Sequence, residues 1–588
     1  QHILGVPFQA AVLKGRSNYV CLRRLMALRK SRQSDIDGVR VLAKVLIWLR
    51  VTHTGDRSEL LLLNTETSIW SEIESSSETC LGERCLFLQT GRCFFYHAKA
   101  RAERAHLVIV NHALLLSDLV LESRILPEFK YLIIDEAHHL EEQATNQFGF
   151  EVGRRSIYSL LVSLSHMDNG APAGLLAQVP ILFQSQGISS SARASMTNQI
   201  QQLQAELDKA QHRVYEIFNT LGVFLEEHVP SSKQDLYEQT ISLHSGLRTQ
   251  PDWTAVEIAW DNFSASIKTI IRGLEHLLTG IDSTVVSDTD IRDDLSQDLK
   301  AHLQRLQEMW MGMNSILMEP EDEGIYWFSV SRRDQEITLH SAPLQVATLL
   351  RDKLFNTKDC VVLTSATLRT ENSFHFIKQR LGLEDPVELA LDSPFHFESA
   401  VLLYVPKDVP EPSEPFYQKT VEQALIDLAK ATEGRMLVLF TSNSQLNATY
   451  RAIQRPLDED DIVVYGQGID GSRRQILDNF RTTPRAVLLG TRSFWEGVDV
   501  VGQALSCLVI ARLPFAVPTD PVLSARALTF EDPFNQFYLP DSILRFRQGF
   551  GRLIRSKDDY GVVVVLDKRI LTKSYGKTIL RSLPRCTA

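Results

Sequence analysis

The sequence contains no phosphate-binding loop of the form G-x-x-x-x-G-K-[S/T], the signature that cradles nucleotide phosphates in many α/β proteins. Its Gly-Lys-Thr string, Gly576–Thr578, has Leu571 where the first glycine should stand, and we predict a surface turn there. The sequence also lacks a signal peptide and any run of about 18 apolar residues, the length needed to cross a membrane. We therefore expect a cytoplasmic protein with no membrane partner.

Cysteine is scarce as well. Seven cysteines in 588 residues, an odd number without a secretory signal, argue against a disulfide framework. Cys80, Cys85 and Cys93 nevertheless follow a C-x4-C-x7-C spacing, and Cys21 lies upstream as a fourth candidate ligand. Thiolates spaced in this way can surround a metal, because each loop returns to the same centre. The C-x2-C pairs of zinc sites are absent, so the pattern favours an iron–sulfur cluster; a zinc ion and unligated cysteines stay open.

Positive charge is in deficit overall, with 62 Lys and Arg against 72 Asp and Glu and a net charge of −10. The two ends differ from the rest, because residues 1–60 and residues 541–588 each hold 11 basic against 4 acidic side chains. Basic ends can meet a phosphate backbone. Lys14, Arg16 and Tyr19, just before Cys21, are candidate contacts to a nucleic-acid strand, and charge that merely solubilises a helix is the alternative.

The rest of the chain is organised around Tyr131–Leu140, which reads YLIIDEAHHL. Tyr131 to Ile134 predict a short buried strand of a parallel sheet, and Asp135 and Glu136 follow where that strand ends. Open α/β sheets bind ligands at this end of their strands. Such a pair can divide its work: Asp135 holds Mg²⁺, and Glu136 orients the water that attacks the γ-phosphate of ATP. A lone acidic pair would more often be a solvated turn, so other motifs must decide.

Further strings downstream supply those motifs, and together they resemble the motifs of superfamily 2 helicases and translocases. TSAT at residues 364–367 resembles motif III, LVLFTSNSQL at 437–446 motif IV, and GTRSFWEGVDVVG at 490–502 motif V. Gln548, Gly551, Arg552 and Arg555 match the Q-x-x-G-R-x-x-R of motif VI. Three residues apart on a helix, Arg552 and Arg555 share a face and can neutralise charge on the γ-phosphate.

Apolar patterning predicts the domain organisation. Heptad stripes over residues 196–221, 256–277 and 295–310 predict three long helices that pack at coiled-coil angles. Residues 107–112 predict a strand that forms a βαβ arrangement with the DEAH strand. A second α/β unit begins near residue 390, with strands predicted at 435–440, 461–465, 486–490, 506–510 and 562–566. The fold class is therefore α/β, with two parallel-sheet units and a helical insertion in the first.

Taken together, LKGRSNYVC at residues 13–21, the cysteine trio, DEAH, TSATL, SFWEGVDVVG and QGFGRLIRS resemble the DinG branch of the XPD-like DNA helicases. The resemblance implies two RecA-like motor domains, the first at 1–152 with an iron–sulfur module at about 14–96, completed by 323–388, and the second at 389–588. Residues 153–322 would be a helical arch domain.

The same resemblance implies a [4Fe–4S] cluster on Cys21, Cys80, Cys85 and Cys93, with ATP and Mg²⁺ as cofactors. It further implies 5′→3′ unwinding of forked or tailed DNA by a monomer that tracks single-stranded DNA, in DNA repair or replication-associated processing. The residues that would contact nucleotide are His138, Gly497, Asp499 and Gln548, and Thr491 would contact DNA.

The sequence departs from this family pattern in lacking the phosphate-binding loop and motif Ia. Residue 1 is Gln, and the cysteine module begins shortly after it, so we expect the loop to lie outside this sequence and the chain alone to hydrolyse ATP poorly. Two alternatives are a motor-inactive iron–sulfur redox sensor that binds DNA and an RNA helicase or translocase.

Overall fold

The computed structural model describes residues 5–30, 36–63, 66–120, 125–168, 170–182, 190–228, 239–283, 289–331, 334–495, 500 and 502–587. The strands are β1 Ala10–Val12, β2 Leu107–Ile109, β3 Tyr131–Ile134, β4 Phe150–Gly153, β5 His166–Asp168, β6 Ala171–Ala173, β7 Gln239–Ser242, β8 Gly324–Val330, β9 Ile337–Pro343, β10 Cys360–Leu363, β11 Val401–Tyr404, β12 Met436–Leu439, β13 Val463–Gly466, β14 Ala486–Gly490, β15 Cys507–Ile510 and β16 Gly561–Val565.

The α-helices are α1 Leu22–Lys30, α2 Ile36–Trp48, α3 Thr67–Ile73, α4 Leu86–Gln89, α5 Phe94–Glu103, α6 His112–Val120, α7 Leu140–Gln147, α8 Arg154–Leu164, α9 Leu175–Leu182, α10 Ser190–His228, α11 Ser245–Arg248, α12 Trp253–Ser283, α13 Thr289–Leu317, α14 Ala347–Lys353, α15 His375–Leu381, α16 Phe397–Ala400, α17 Tyr417–Ala431, α18 Asn443–Asp458, α19 Arg473–Thr482, α20 Arg492–Trp495, α21 Pro521–Ala527, α22 Leu539–Phe550, α23 Arg569–Thr572 and α24 Ser574–Ser582.

The chain forms two compact units. The first comprises the described parts of residues 1–130, 142–233 and 237–343, and the second comprises the described parts of 131–141 and 344–588. The DEAH strand therefore belongs to the second unit, together with the predicted motifs III to VI.

The first unit begins with a small module of short helices that carries the four cysteines. Val20, Leu25, Val45, Trp70 and Ile73 form its apolar core, and the indole of Trp70 donates to the carbonyl of Ser17. Strand β1 pairs in parallel with β2 beside it. The prediction of a buried strand at 107–112 next to the DEAH strand is wrong: β2 ends at Ile109, pairs with β1 and has two of its three side chains exposed.

The three predicted long helices are α10, α12 and α13, and their heptad stripes form one continuous apolar core with α8 and α9. An antiparallel sheet in the order β4-β9-β8-β7 packs against them. The predicted boundary at residue 322 is wrong, because β8 and β9 belong to this sheet and Phe328 and Leu339 are buried in the helical core. The strands that pair with β8 and β9 therefore lie within the region predicted to be helical.

The second unit is built on a six-stranded parallel sheet in the order β11-β16-β15-β12-β14-β13. All five strands predicted there are present, and β11 is added at one edge. Helices cover both faces with two apolar cores, as the continuous runs of buried side chains require. The α/β fold class with parallel sheets is thus confirmed.

Strand β3 pairs in parallel with β10 in the same unit. The prediction that Tyr131–Ile134 is fully buried is wrong, because Tyr131 and Ile133 are exposed and only Ile134 is fully buried. Tyr131 and Ile133 alternate with Leu132 and Ile134 along the strand, so they lie on the same face of the pair, and that face is exposed.

The Gly-Lys-Thr string is not a surface turn but part of α24. A Cβ atom at Gly576 would lie 2.0 Å from the carbonyl oxygen of Ile570, so glycine is needed there for close helix packing rather than for phosphate binding. No helix within the described ranges is long and apolar enough to cross a membrane.

Candidate active site and metal centre

The DEAH turn is held against the TSAT turn by backbone hydrogen bonds. Thr364, directly after β10, donates its N–H to Ile134 across 2.9 Å, and Ala137 donates its own to Thr364 across 3.1 Å. The register of the two parallel strands places Leu363 beside Ile134, so both polar turns leave the same end of the pair. Motifs II and III therefore form one continuous edge, as ligand sites of open α/β sheets require.

Glu136 adopts a left-handed backbone conformation with φ 50° and ψ 44°, and its N–H donates to Oδ1 of Asp135 across 3.0 Å. Residues other than glycine seldom hold this conformation, which costs on the order of 1 kcal/mol or more and gathers at functional sites. The turn directs the Glu136 side chain outward, where it is 59% exposed. The carboxylate is thus accessible to a ligand.

Two neighbouring side chains orient that carboxylate. Ser365 donates its hydroxyl to Oε2 of Glu136 across 3.2 Å and lies 2.7 Å from Nδ1 of His138. Because the serine proton is given to the carboxylate, Nδ1 of His138 is the donor to Ser365. The structure therefore places His138, predicted to contact nucleotide, in a relay that ends on Glu136. The sequence analysis identified Ser365 only as part of the TSAT string and gave it no role of its own.

Helix α22 brings motif VI to the same edge. Gln548 donates from Nε2 to the hydroxyl of the buried Thr367 across 3.2 Å, and Arg547 donates to the carbonyl of Arg369 across 2.7 Å. Just beyond the helix, Nε of Arg552 donates to the carbonyl of Trp495 across 2.8 Å. The arrangement gathers two carboxylates, hydroxyls, an amide and guanidinium groups, which is a donor set suited to a metal–phosphate ligand.

The loop after α22 is fixed by Asp559. Its carboxylate accepts from the backbone N–H groups of Arg555 and Ser556, both at 2.8 Å, and from that of Gly502 at 3.2 Å. Burial alone would raise the pKa of Asp559, but these hydrogen bonds outweigh burial and lower it. The hydrogen bond from its backbone N–H to Asp559 therefore fixes the position of Arg555.

Three predicted contacts of motif V have different outcomes. Gly497 and Asp499 lie outside the described residues. Thr491 is buried, and both its N–H and its hydroxyl donate to Oε1 of Gln467. In this arrangement the hydroxyl of Thr491 faces Gln467 rather than solvent.

The four predicted cysteine ligands meet in the first unit. Burial raises the pKa of the Cys93 thiol, and the neighbouring thiols of Cys21, Cys80 and Cys85 raise it further. Burial also raises the pKa of Cys21, opposed by backbone hydrogen bonds and by the guanidinium of Arg23. No disulfide joins these cysteines.

The chemistry of this donor set fits a metal centre. Thiolates bind a single zinc ion, and they also bind the irons of an iron–sulfur cluster. Four neighbouring thiols are the number of protein ligands that either centre needs.

The candidate DNA contacts lie beside this centre. Lys14 forms an ion pair with Asp56 at 2.6 Å and donates to Ser58, while Arg16 stacks over the Phe95 ring at 4.0 Å. The prediction for Tyr19 is wrong: it is 3% exposed, and its hydroxyl accepts from the N–H of Lys14. Tyr19 is a core residue of the module and presents no surface on which a base can stack.

Sequence reasoning missed the polar contacts between the cysteine module and α13. Arg23, two residues after Cys21, lies 3.2 Å from Asp294 and 3.6 Å from Asp298. Arg84 pairs with Asp293, and Arg305 pairs with Glu78. These pairs join residues far apart in the chain, up to the 275 positions between Arg23 and Asp298, so the only sequence signal is charge complementarity.

Comparison with known proteins supports this picture. Residues 425–586 match the family described as Helicase C-terminal domain, and residues 75–157 match the DEAD_2 family. Across 99% of its length the chain shares its fold with a solved XPD helicase, with a TM-score of 0.51 at 15% identity and 87% of that chain covered. The fold is therefore that of the XPD-like helicases.

Sequence relatives define the family more closely. The chain is 31% identical to the 3′-5′ exonuclease DinG of Bacillus subtilis over 99% of its own length, and it spans 62% of that relative. It is 30% identical to the ATP-dependent DNA helicases YoaA of Haemophilus influenzae and of Escherichia coli, over 98% of its own length and 81% of each relative. The chain belongs to the DinG and YoaA family of ATP-dependent DNA helicases.

Proposed function

We propose that this protein couples ATP hydrolysis to the unwinding of DNA with 5′→3′ polarity, in DNA repair or replication-associated processing. The hydrogen bond between Gln548 and Thr367 is the main observation that supports this proposal. It joins motif VI to motif III across 181 positions of sequence, at the edge where Glu136 is presented. A shared nucleotide gives all three motifs a role, since phosphoryl transfer depends on positioning and charge stabilisation.

In this proposal Asp135 binds Mg²⁺ and Glu136 orients the attacking water. Ser365 and His138 keep the Glu136 carboxylate turned outward, which removes the reorganisation that a free side chain would need. Arg552 and Arg555 neutralise charge that develops on the γ-phosphate oxygens, and Gln548 links nucleotide occupancy to motif III. Gly497 and Asp499 complete the nucleotide contacts.

We assign Cys21, Cys80, Cys85 and Cys93 as ligands of a [4Fe–4S] cluster. When bound, such a cluster supplies a covalent cross-link between four loops and a one-electron couple. The C-x4-C-x7-C spacing, without the C-x2-C pairs of zinc sites, supports this assignment over zinc. Burial of Cys21 and Cys93 favours the neutral thiol, so without a metal these side chains carry no charge at neutral pH.

Single-stranded DNA and forked or tailed duplexes are the proposed substrates. Lys14 and Arg16 stay the candidate strand contacts of the cysteine module. Thr491 stays that of motif V, where its hydroxyl would have to leave Gln467 to reach DNA. Lys14 can exchange its ion pair with Asp56 for one with a DNA phosphate at little cost in free energy, because surface ion pairs contribute about 0–1 kcal/mol. We propose that a single copy of the protein acts, in the cytoplasm.

A motor-inactive redox sensor that binds DNA is the second candidate, and the four neighbouring cysteines of the first unit are the observation in its favour. The left-handed conformation of Glu136 weighs against it, because an inactive motor gains nothing from holding a strained carboxylate toward solvent.

Strand-separation assays on the natural polypeptide that contains this chain test the proposal. Duplexes with a 5′ tail, with a 3′ tail and with RNA strands should be compared with and without ATP. We expect ATP-dependent separation of the 5′-tailed DNA alone, and none by the Glu136→Gln variant. Binding without ATP hydrolysis would favour the sensor, and separation of RNA duplexes would favour the RNA helicase.

A further inference from the structure

The helix that follows the DEAH turn carries a buried carboxylate with two arginine partners. Glu141, the second residue of α7, lies five positions after Glu136 and is 9% exposed. Its Oε1 accepts from Nη1 of Arg526 across 2.9 Å, and its Oε2 accepts from Nε of Arg380. Both carboxylate oxygens are therefore engaged by guanidinium groups, so the direction of the side chain is fixed at two points.

The two arginines belong to different parts of the second unit. Arg526 lies in α21, a helix whose start is fixed by Asp520 as N-cap and by Pro521, and its Nε also donates to the carbonyl of Leu344 across 2.8 Å. Arg526 is itself 6% exposed. One guanidinium thus joins α21 both to the DEAH helix and to the start of the segment that leads into β10.

Arg380 extends the same contact toward motif VI. It lies in α15, and its guanidinium carbon stacks over the ring of Phe537 at 4.5 Å. Phe537 is buried in the π-helical turn Phe534–Tyr538, which runs directly into α22, the helix of Gln548. Glu141 is therefore connected through single side-chain contacts to α21 and to the beginning of α22.

Stability alone does not account for such a contact. A buried ion pair is often no more stabilising than apolar residues of the same volume, because desolvation of the charges offsets their attraction. A carboxylate between two planar guanidinium groups has a fixed orientation, because each hydrogen bond forms only in a narrow range of geometries. Reaction rates depend on the orientation of catalytic groups, and a displacement of such a group by about 1 Å can lower the rate about 100-fold.

We propose that Glu141 is a positioning residue for ATP hydrolysis: with Arg526 and Arg380 it fixes the DEAH turn relative to motif VI. This inference rests on the proposed function. Glu141 touches no substrate; it acts through the backbone of α7, whose first turn continues the strained turn at Glu136. Loss of either guanidinium contact lets that turn move relative to Gln548.

Three variants test the proposal in the natural polypeptide. Glu141→Gln keeps the side-chain shape but removes the charge. Arg526→Lys keeps the positive charge, but its single ammonium group cannot reach both Glu141 and the Leu344 carbonyl. This variant replaces Glu141→Gln as the test if Glu141→Gln fails to fold. Glu384→Gln is the matched control, since Glu384 pairs with Arg351 in the same unit but is 79% exposed.

The first readout needs no ATP. Hydrogen exchange at the amides of Ala137 and His139, which donate to Thr364 and to Glu136, reports opening of the DEAH turn. We expect exchange at least about tenfold faster in Glu141→Gln and Arg526→Lys, and unchanged exchange in Glu384→Gln. Unchanged exchange in both test variants would overturn the proposal, whether or not the protein hydrolyses ATP.

The second readout separates positioning from binding. For DNA-stimulated hydrolysis we expect kcat to fall by about 10- to 100-fold while KM for ATP changes by less than about threefold, because the displaced group acts in the transition state. A rise in KM with unchanged kcat would show that Glu141 only supports nucleotide binding. If the parent protein does not hydrolyse ATP, the proposed function is refuted. The hydrogen-exchange experiment then decides whether Glu141 fixes the DEAH turn.

Discussion

Gln548 and Thr367 are joined by a hydrogen bond of 3.2 Å between the amide Nε2 and the hydroxyl Oγ1. Thr367 is buried at the end of the TSAT turn, whose Ser365 in turn hydrogen bonds Glu136. A continuous chain of hydrogen bonds therefore runs from Gln548 in α22 through Thr367 and Ser365 to the carboxylate proposed to orient water. The relationship makes motif III a physical link between motif VI and the DEAH turn.

Replacing Gln548 by alanine should uncouple these motifs. We expect ATP hydrolysis to fall and its stimulation by DNA to shrink by about 5- to 150-fold, the usual range of coupling between sites. Gln418→Ala is the control, because Gln418 donates to the hydroxyl of Thr449 across 2.9 Å in the same unit but far along the chain from motifs III and VI. Equal stimulation of hydrolysis in Gln548→Ala and in the parent would contradict this role.

Glu136→Gln and Arg552→Ala should both abolish hydrolysis, for different reasons. The amide at 136 cannot orient water but leaves ATP bound, so DNA should be held tightly when ATP is present. Loss of Arg552 removes charge stabilisation worth about 10³–10⁵ in rate, and DNA affinity should respond little to ATP. DNA affinity measured with and without ATP distinguishes the two, with Arg455→Ala, at a 92% exposed side chain, as the control. Parental hydrolysis by Arg552→Ala would refute the arrangement.

The cysteine centre should hold about four irons per chain when the protein is purified without oxygen. Cys85→Ser should lose the iron and the visible absorbance and should make the surrounding module sensitive to protease. Cys360→Ser, at an exposed cysteine of the other unit, should keep the full iron content. One zinc per chain in a colourless protein would instead identify a mononuclear site.

Asp559→Asn should loosen the loop after α22 in a pH-dependent way. The folded-state pKa of Asp559 is lowered, so its stabilising effect is present above the unfolded pKa of about 3.9 and is lost as pH falls through the folded value. At pH 7 we expect the amides of Arg555 and Ser556 to exchange hydrogen faster by about 5- to 150-fold, which corresponds to about 1–3 kcal/mol.

The difference between Asp559→Asn and the parent should shrink as pH falls below the unfolded pKa of about 3.9, and it should disappear below the lowered folded-state pKa, where the parent carboxylate is also neutral. Asp558→Asn is the matched control, because Asp558 is the exposed neighbour of Asp559. A loosening that is the same at pH 7 and at low pH would show that the carboxylate charge does not hold the loop.

The sequence predicted the second unit well because its strands are buried on both faces. Strand β14 has the predicted bounds 486–490, and all of its side chains are buried. Strand β11 was missed, because its side chains alternate between buried and exposed and its apolar run is short. The partners of β8 and β9 could not be predicted either, since strand propensity carries no information about which strand lies alongside.

For the candidate site, local motifs were recognisable and long-range contacts were not. Asp135 and Glu136 stand out because an apolar run ends in two acids. The contact between Glu141 and Arg526 joins residues 385 positions apart, and neither belongs to a motif. Tyr19 was misjudged for the opposite reason, because an aromatic residue among basic ones has the same pattern whether it stacks on a base or packs edge to face against Phe95.

The left-handed backbone at Glu136 has an evolutionary consequence. Glycine or asparagine would hold φ 50° with less strain than glutamate, so a library screened only for folded protein should enrich them at this position. A library screened for ATP-dependent strand separation should keep glutamate. Selection for a durable fold and selection for a working motor therefore oppose each other at one residue, and natural sequences that have drifted away from glutamate there would mark lineages in which the motor has been abandoned.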